Sequence, residues 1–237
     1  MNEDEFIEEL KKINIVLNEN QLEKLRKFYE LLVIWNKKIN LTAITKKEDV
    51  YLKHFYDSLT LVKSVDLTKD LKLLDVGTGA GFPGIVLKIV FPNLKITLLD
   101  SLNKRINYLN EIIKELELTE IETICSRCED YSRINREKYD IAVARAVSHL
   151  EILSEIIIPT VKVDGFFIAM KSNIGDEIEN SKKILNKLES IVNDVLEFKL
   201  PVENSIRTLI KIQKIKKTNV KYPRKYGEIK RNHCKNK

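Results

Sequence analysis

Two acids and a run of glycines stand close enough together to hold a ligand against bare backbone. Asp75, Gly77, Gly79, Gly81 and Gly84 lie within "LLDVGTGAGFPGI" (73–85), and Asp100 follows 23 residues after Gly77. The chain has seven glycines in all, and four of them are spent here. Glycine is required where the backbone turns with positive φ or where a partner approaches too closely for a Cβ. The loop reads in two registers. Gly79–Gly84 matches GxGxxG, the dinucleotide fingerprint. Gly77-Thr78-Gly79-Ala80-Gly81 gives GxGxG preceded by Asp75, the pattern of S-adenosylmethionine (SAM) methyltransferases. Gly77 is the glycine directly after the first strand, and in its register Phe82 stands at the third fingerprint position and breaks the dinucleotide match. Asp75 suits a cationic ligand better than a pyrophosphate. SAM carries an ammonium and a sulfonium, and its carboxylate is expected to take backbone N–H groups near the helix start. Asp100 ends the second strand, where an acid accepts ribose hydroxyls; with Ser101 it also reads as a helix N-cap. The expected cofactor is SAM, with Gly77, Gly79 and Asp100 among its contacts.

The elements that must present this loop are legible around it. "LKLLDV" (71–76), "KITLLD" (95–100), "IETIC" (121–125), "YDIAVA" (139–144) and "GFFIAM" (165–170) are short β-like runs. Most are continuously apolar, as in strands covered on both faces of a parallel sheet. Leu102, Ile106, Leu109, Ile113 and Leu116 recur at helical spacing between the second and third. "VLEFKL" (195–200) and "SIRTLIKIQKI" (205–215) follow each other across a short link and read as an antiparallel pair closing the sheet. The expected fold class is α/β, a doubly wound Rossmann-like sheet of the class I SAM-dependent methyltransferase type with ligand at the strand C-termini. An N-terminal helical extension precedes it: Leu22, Leu25, Tyr29, Leu32 and Ile39 mark one apolar face, joined by Trp35, and no Gly or Pro interrupts residues 1–65. The expected division is 1–65 helical extension, 66–217 SAM-binding domain and 218–237 basic tail.

The charge is unevenly placed. Residues 211–237 carry eleven Lys/Arg against Glu228, a local +10 in a chain of net +6, so residues 1–210 sum to −4. Such a tail is either a solvated terminus or a contact for nucleic-acid phosphates. The acidic start "MNEDEFIEEL" lacks a signal peptide's pattern, and no apolar run reaches the roughly 20 residues of a membrane span. Three cysteines argue against a disulfide framework. A cytoplasmic protein without membrane attachment is expected. Cys125 and Cys128 form a CxxC, but with only His233 and Cys234 as further candidates in the tail, no metal is expected.

The segment after the fourth strand, "ARAVSHL" (144–150), has neither the proline-rich turn of amino-group methylases nor the nucleophilic cysteine of pyrimidine-C5 enzymes. Arg145 stands there instead, either an exposed strand-end arginine or a contact for substrate or cofactor.

With these stretches the chain resembles the RsmG family, also called GidB, the small-subunit ribosomal RNA methyltransferases G. The resemblance covers nearly all of residues 20–231 and rests on "WNKKINLTAIT" (35–45), "HFYDSL" (54–59), "LLDVGTGAGFPGI", "TLLDSLNKRINYL" (97–109), "SRCEDY" (126–131), "ARAVSHLEIL" (144–153) and "KYPRKYG" (221–227). It implies methylation of N7 of one guanine in bacterial 16S ribosomal RNA from SAM, with free RNA, the 30S subunit or its precursor as partner, by a protein expected to be monomeric. N7 has a lone pair and no proton to lose, so proximity and in-line orientation would suffice, without a covalent intermediate.

By resemblance, SAM contacts fall on Gly77, Phe82, Cys128, Glu129 and Arg145. Arg127, Arg145 and Arg207 are implied for RNA or the active site, and Lys221, Arg224 and Lys225 for RNA. Asn40, His54 and Asp57 would line the cleft from the N-terminal helices, or else pin those helices to the sheet. Tyr222 and Tyr226 interleave the basic tail with rings that could stack on bases, and the tail is expected to act apart from the glycine loop. Lys171-Ser172 replaces the family's usual Lys-Gly, and "GEIKRNHC" lacks its usual prolines. Two alternatives stay open: a SAM methyltransferase of a small molecule or protein, and a noncatalytic RNA-binding protein of this fold. A nicotinamide oxidoreductase is more distant.

Overall fold

Strand β1 (Lys72–Val76) is buried along four of its five residues because it has a strand on each side and a helical layer on each face. It pairs in parallel with β2 (Lys95–Asp100) and β4 (Tyr139–Arg145). Beyond these lie β3 (Ile121–Cys125), β5 (Val161–Lys171), β6 (Ser190–Lys199) and β7 (Ile206–Lys214), in the order β3-β2-β1-β4-β5-β7-β6. The first five strands are parallel, and β7 and β6 add antiparallel edges. The α/β class and the antiparallel C-terminal pair are as expected. The computed structural model describes residues 1–145 and 148–235, with side chains through Arg231, so His233 and Cys234 lie outside the described side chains.

Alternate strand residues feed two cores. Leu73, Ile96, Leu98, Ile141 and Ile168 face the side covered by α2 (Glu19–Ile39), α5 (Gly84–Val90) and α6 (Asn103–Glu115). Leu74, Val76, Leu99, Ala142 and Phe167 face α8 (Leu150–Ile157) and α9 (Glu177–Lys187). α1 (Glu3–Lys11) also joins the first core through Phe6 and Leu10. A helical run over 47–63 packs between α1 and α5. It comprises α3 (Lys47–Val50), a π-helical turn (Tyr51–Tyr56), α4 (Asp57–Leu59) and a 3₁₀ turn (Thr60–Lys63). Wide helical turns concentrate at functional sites, and this one holds His54 and leads directly into Asp57.

β3 is an edge strand, so its residues are half-exposed. Two local expectations are corrected. Leu102 is exposed and stands before α6, where the expected helix began. β6 starts five residues before the apolar run read from sequence, because Asn193 and Asp194, both exposed, interrupt the apolar residues within it. No helix among the described residues is long and apolar enough to cross a membrane.

Candidate active site

The glycine loop follows β1, and its shape is set by hydrogen bonds within the protein. Gly77, Gly79 and Gly81 have φ of 68°, 59° and 94°, the left-handed region that disfavours side chains. The N–H groups of Gly77 and Thr78 donate to Leu99 O, and those of Gly81 and Phe82 donate to Thr78 O. Gly79 N–H donates to Asp100 Oδ2 at 3.0 Å and Gly84 N–H to Asp75 Oδ2 at 2.9 Å. These six amides are therefore engaged internally, which corrects the expectation that they wait for a cofactor carboxylate.

Asp75 is corrected too. It is fully buried, accepts from Thr78 Oγ1 at 2.6 Å, and borders neither of the two clefts described below. Its role is to bind the start of α5, which Pro83 at the N-cap position cannot cap. Burial pushes its carboxyl up to about 6.

Two clefts open at the C-terminal end of the parallel strands. The first, about 440 Å³, lies between the loop and the ends of β2, β3 and β4, and is bordered by Gly77, Asp100, Cys128, Glu129 and Arg145. Asp100 is buried at its floor. Oδ1 accepts from Leu102 N, and Oδ2 also receives Arg105 Nη1 at 3.1 Å. Cys128 and Glu129 begin α7 (Cys128–Ile134). Cys128 Sγ donates to Ile156 O at 3.3 Å, and burial raises its thiol pKa, so it is held as a neutral packing group. Exposed Arg127 stands at the rim as the N-cap of α7. Gly79 fits a close-bound ligand: a Cβ built on it meets nothing nearer than Gly77 O at 3.8 Å, so only open space lies beyond.

The second cleft, about 350 Å³, lies on the other side of Gly77, Gly79 and Arg145, which border both. Here Phe82, His54, Asp57 and Arg207 converge. The His54 and Phe82 rings stack at 4.4 Å with 19° between planes, and Arg145 lies over the Phe82 ring. Asp57 receives Arg145 Nη1 on Oδ2 and Arg207 Nε on Oδ1, each at 3.1 Å. Arg145 Nη1 also donates to Lys53 O at 3.0 Å, and Arg207 Nη1 donates to Ile206 O at 2.9 Å. His54 Nδ1 lies 3.2 Å from both Arg145 Nη2 and Lys53 O, and Nε2 lies 3.0 Å from Thr42 Oγ1, so both ring nitrogens are engaged. Burial first, then the charge of Arg145, pushes His54 down to about 3. The imidazole is neutral, and both Asp57 oxygens are ion-paired. Thus His54 and Asp57 both border the cleft and pin the helical run to the sheet.

Other expected residues fall elsewhere. Asn40 is exposed at the left-handed C-cap of α2 (φ 47°) and borders neither cleft. The asparagine that builds this region is Asn36, whose Oδ1 accepts from Leu41 N and Thr42 N and so brings Thr42 to His54. Arg224 is held by the protein itself: its backbone N, Nε and Nη2 donate to the buried carboxylate of Glu155, at 2.9, 2.8 and 2.6 Å. Tyr222 is buried in the second core rather than offered to bases. Lys221 and Lys225 are exposed. Lys171 donates to Ser148 O and to Glu177 Oε2, which also accepts from Leu150 N, so the end of β5 is tied to the start of α8 while Ser172 borders the second cleft.

Two contributors were missed from sequence: Thr42 and Arg105. Thr42 sits inside a stretch already singled out, and Arg105 is one turn into the helix after Asp100, so spacing offered a signal for both. Tyr226 borders the first cleft together with Gly77 and Asp100, which corrects the view that the tail acts apart from the loop.

Comparison with known proteins agrees with this arrangement. Solved structures of similar fold include a SAM-dependent methyltransferase from Aquifex aeolicus (TM-score 0.53, 20% identity, covering 72% of this chain and 94% of that one). A precorrin-6y C5,15-methyltransferase from Geobacter metallireducens is also similar (TM-score 0.52, 16% identity, 72% and 91%). At such identities the likeness speaks for fold alone. In sequence, the chain is 48% identical over 230 residues to the ribosomal RNA small subunit methyltransferases G of Lysinibacillus sphaericus and Bacillus cereus, covering 96% of this chain and 97% and 96% of theirs. The family model for GidB, rRNA small subunit methyltransferase G, matches residues 21–210. With the glycine loop, the paired clefts and this breadth of similarity together, the chain belongs to the GidB family of rRNA small subunit methyltransferases.

Proposed function

We propose that this protein transfers a methyl group from SAM to N7 of a guanine in 16S ribosomal RNA, within the 30S subunit or its precursor. The single observation that carries this is the sharing of Gly77, Gly79 and Arg145 by two clefts, one on each side of the loop. Bound in the first cleft, SAM supplies an electrophilic methyl on a sulfonium. Asp100 is the acceptor for ribose hydroxyls, Cys128 and Glu129 border the adenosine side, and the positive Arg145 suits the cofactor's carboxylate.

The second cleft fits a base that needs orienting rather than deprotonating. His54 is held neutral beside Arg145 with a lowered pKa, and Asp57 is neutralised by two arginines, so neither offers a ready base. Guanine N7 has no proton to lose. Phe82 and His54, stacked on each other, both border the cleft, and the two guanidiniums set a positive field that draws phosphate and the O6 edge. Exposed Arg127, Lys221 and Lys225 extend that field along the rim and the tail.

The test is labelled methyl transfer from SAM to 30S particles and to free 16S RNA, each prepared from cells lacking this activity. Nuclease digestion and mass spectrometry should find 7-methylguanosine. Methyl incorporation at another atom, or into no RNA at all, overturns the assignment.

A further inference from the structure

The chain after β7 is a strap, not a free arm. Arg136 donates to Thr218 O at 2.6 Å and to Tyr222 O at 2.7 Å, and Arg133 donates to Arg224 O at 2.9 Å. Arg224 clamps Glu155, a carboxylate only 1% exposed, with three donors. Such a buried charge holds its geometry because each of its partners would be costly to lose. The strap thereby grips α7 through Arg133 and α8 through Glu155, and these two helices also wall the first cleft, through Cys128 and Glu129 on one and Ile152 and Ile156 on the other.

Tyr226 is the product of this arrangement. It opens α10 (Tyr226–Lys235) between two anchors, Tyr222 four residues before and Ile229 three residues after, both buried in the second core with Ile152 and Ile156. The anchors fix its position while the tyrosine itself stays 40% exposed and borders the cleft that holds Gly77, Asp100, Cys128 and Glu129. An exposed aromatic that borders the same cleft as Ile152, Ile156 and Cys128 is the counterpart a flat purine requires.

We propose that Tyr226 is a cofactor-binding residue whose ring packs against the adenine of SAM, and that the 218–225 strap exists to place it there. This rests on the assignment of the first cleft to SAM. It gives the C-terminal segment a role in the cofactor site in addition to the contact with RNA read from its charge. Lys225 adjoins the same tyrosine, so RNA held by the strap and cofactor held by the ring share one support.

The test is calorimetric, on the full chain, with S-adenosylhomocysteine and 5′-methylthioadenosine as probes. The two share the adenosine and differ in the amino-acid part. Tyr226→Ala should weaken both by at least about 5-fold, the lower end for a base on an aromatic ring, and by a similar factor. Tyr226→Phe should remain within about twofold, because a ring contact does not need the hydroxyl. Thermal melting of Tyr226→Ala should match the wild type, since the side chain is half-exposed. Arg224→Ala, which removes the two side-chain donors that tie the strap to Glu155, should weaken both probes in the same direction where the protein stays folded. Unchanged binding of both probes by Tyr226→Ala overturns the proposal, as does a loss confined to S-adenosylhomocysteine. Failure of the wild type to bind either probe instead removes the cofactor assignment itself.

Discussion

Arg145 and Asp57, 88 residues apart in sequence, meet at 3.1 Å where the parallel sheet and the N-terminal helices touch. Their side chains are 15% and 8% exposed, and Asp57 bonds Arg207 with its other oxygen. One carboxylate therefore orders two cations: Arg145, which borders both clefts, and Arg207, which borders the second. The same contact ties the helical run over 47–63 to β4 and β7.

Asp57→Asn should test that joint. It leaves two guanidiniums with a neutral partner in a partly shielded site, which costs about 1–3 kcal/mol of stability, discounted from the fully buried case for the exposure that remains. Methyl transfer should fall by about 10-fold or more, while the affinity for SAM, measured by calorimetry, changes by only a few-fold. Full turnover with normal stability would remove Asp57 from the machinery.

Stability should respond to pH through His54. Its folded value of about 3 lies below its ordinary 6.5, so the unfolded state binds the proton more readily. Its contribution is present above pH 6.5 and is lost as pH falls from there toward 3, at up to about 1.4 kcal/mol per pH unit. Asp75 acts in the opposite sense: its folded value of about 6 exceeds 3.8, so its contribution is present below 3.8 and is lost as pH rises through about 6. Denaturation of His54→Gln across this range should show a shallower acid loss than the wild type. An unchanged profile would mean that the imidazole is not held neutral.

Gly79→Ala separates the cleft from the fold. At φ 59° an alanine is strained by about 1 kcal/mol, yet its Cβ finds open space. Melting should shift by only a few degrees, while SAM affinity drops by about 10-fold or more as the methyl enters the space that both clefts share. Gly81→Ala should instead destabilise, because its Cβ would lie 2.6 Å from Ile85 Cγ1.

Cys128→Ala should keep methyl transfer near the wild-type rate, with at most a modest loss of stability from the vacated contact with Ile156 O. The same holds for Cys125→Ala, whose side chain is exposed. Loss of turnover with SAM binding intact would point to a thiol in the chemistry, and trapping of a covalent RNA adduct would confirm it.

RNA binding is best probed by single exposed residues. Lys221→Ala, Lys225→Ala and Arg127→Ala should each flatten the log-affinity against log-salt slope by about 0.7–0.9 if the side chain meets a phosphate. Melting temperatures should hold. Deletion of 218–237 is expected to do more: it strips Tyr222 and Ile229 from the second core and leaves Glu155 without Arg224, so the protein should melt earlier and bind SAM more weakly. A truncated chain that melts and binds SAM like the whole one would return the tail to the status of a solvated terminus.

Local chemistry determined what could be read from the sequence. Glycines crowd only where backbone geometry or a ligand demands it, so Gly77 and Gly79 marked the loop. Apolar runs behind turn signals marked β1, β2, β4 and β5, and these together with the quoted stretches pointed to the family. The purpose of individual polar side chains was decided by the tertiary structure, because it depends on which partner arrives from a distance. Asp75 reads as a ligand group but is consumed in bracing α5. Arg224 reads as an RNA contact, yet its Nε and Nη2 are paired with Glu155, 69 residues earlier. Asn40 and Asn36 are near-equivalent in sequence, and only the helix end distinguishes the cap from the residue that shapes the loop. Tyr226 reads as part of a charged tail, and only the anchoring of Tyr222 and Ile229 on α8 brings it to the cofactor cleft. Period and composition act over a few residues and survive in the sequence, whereas a hydrogen bond between distant segments exists only once the chain has folded.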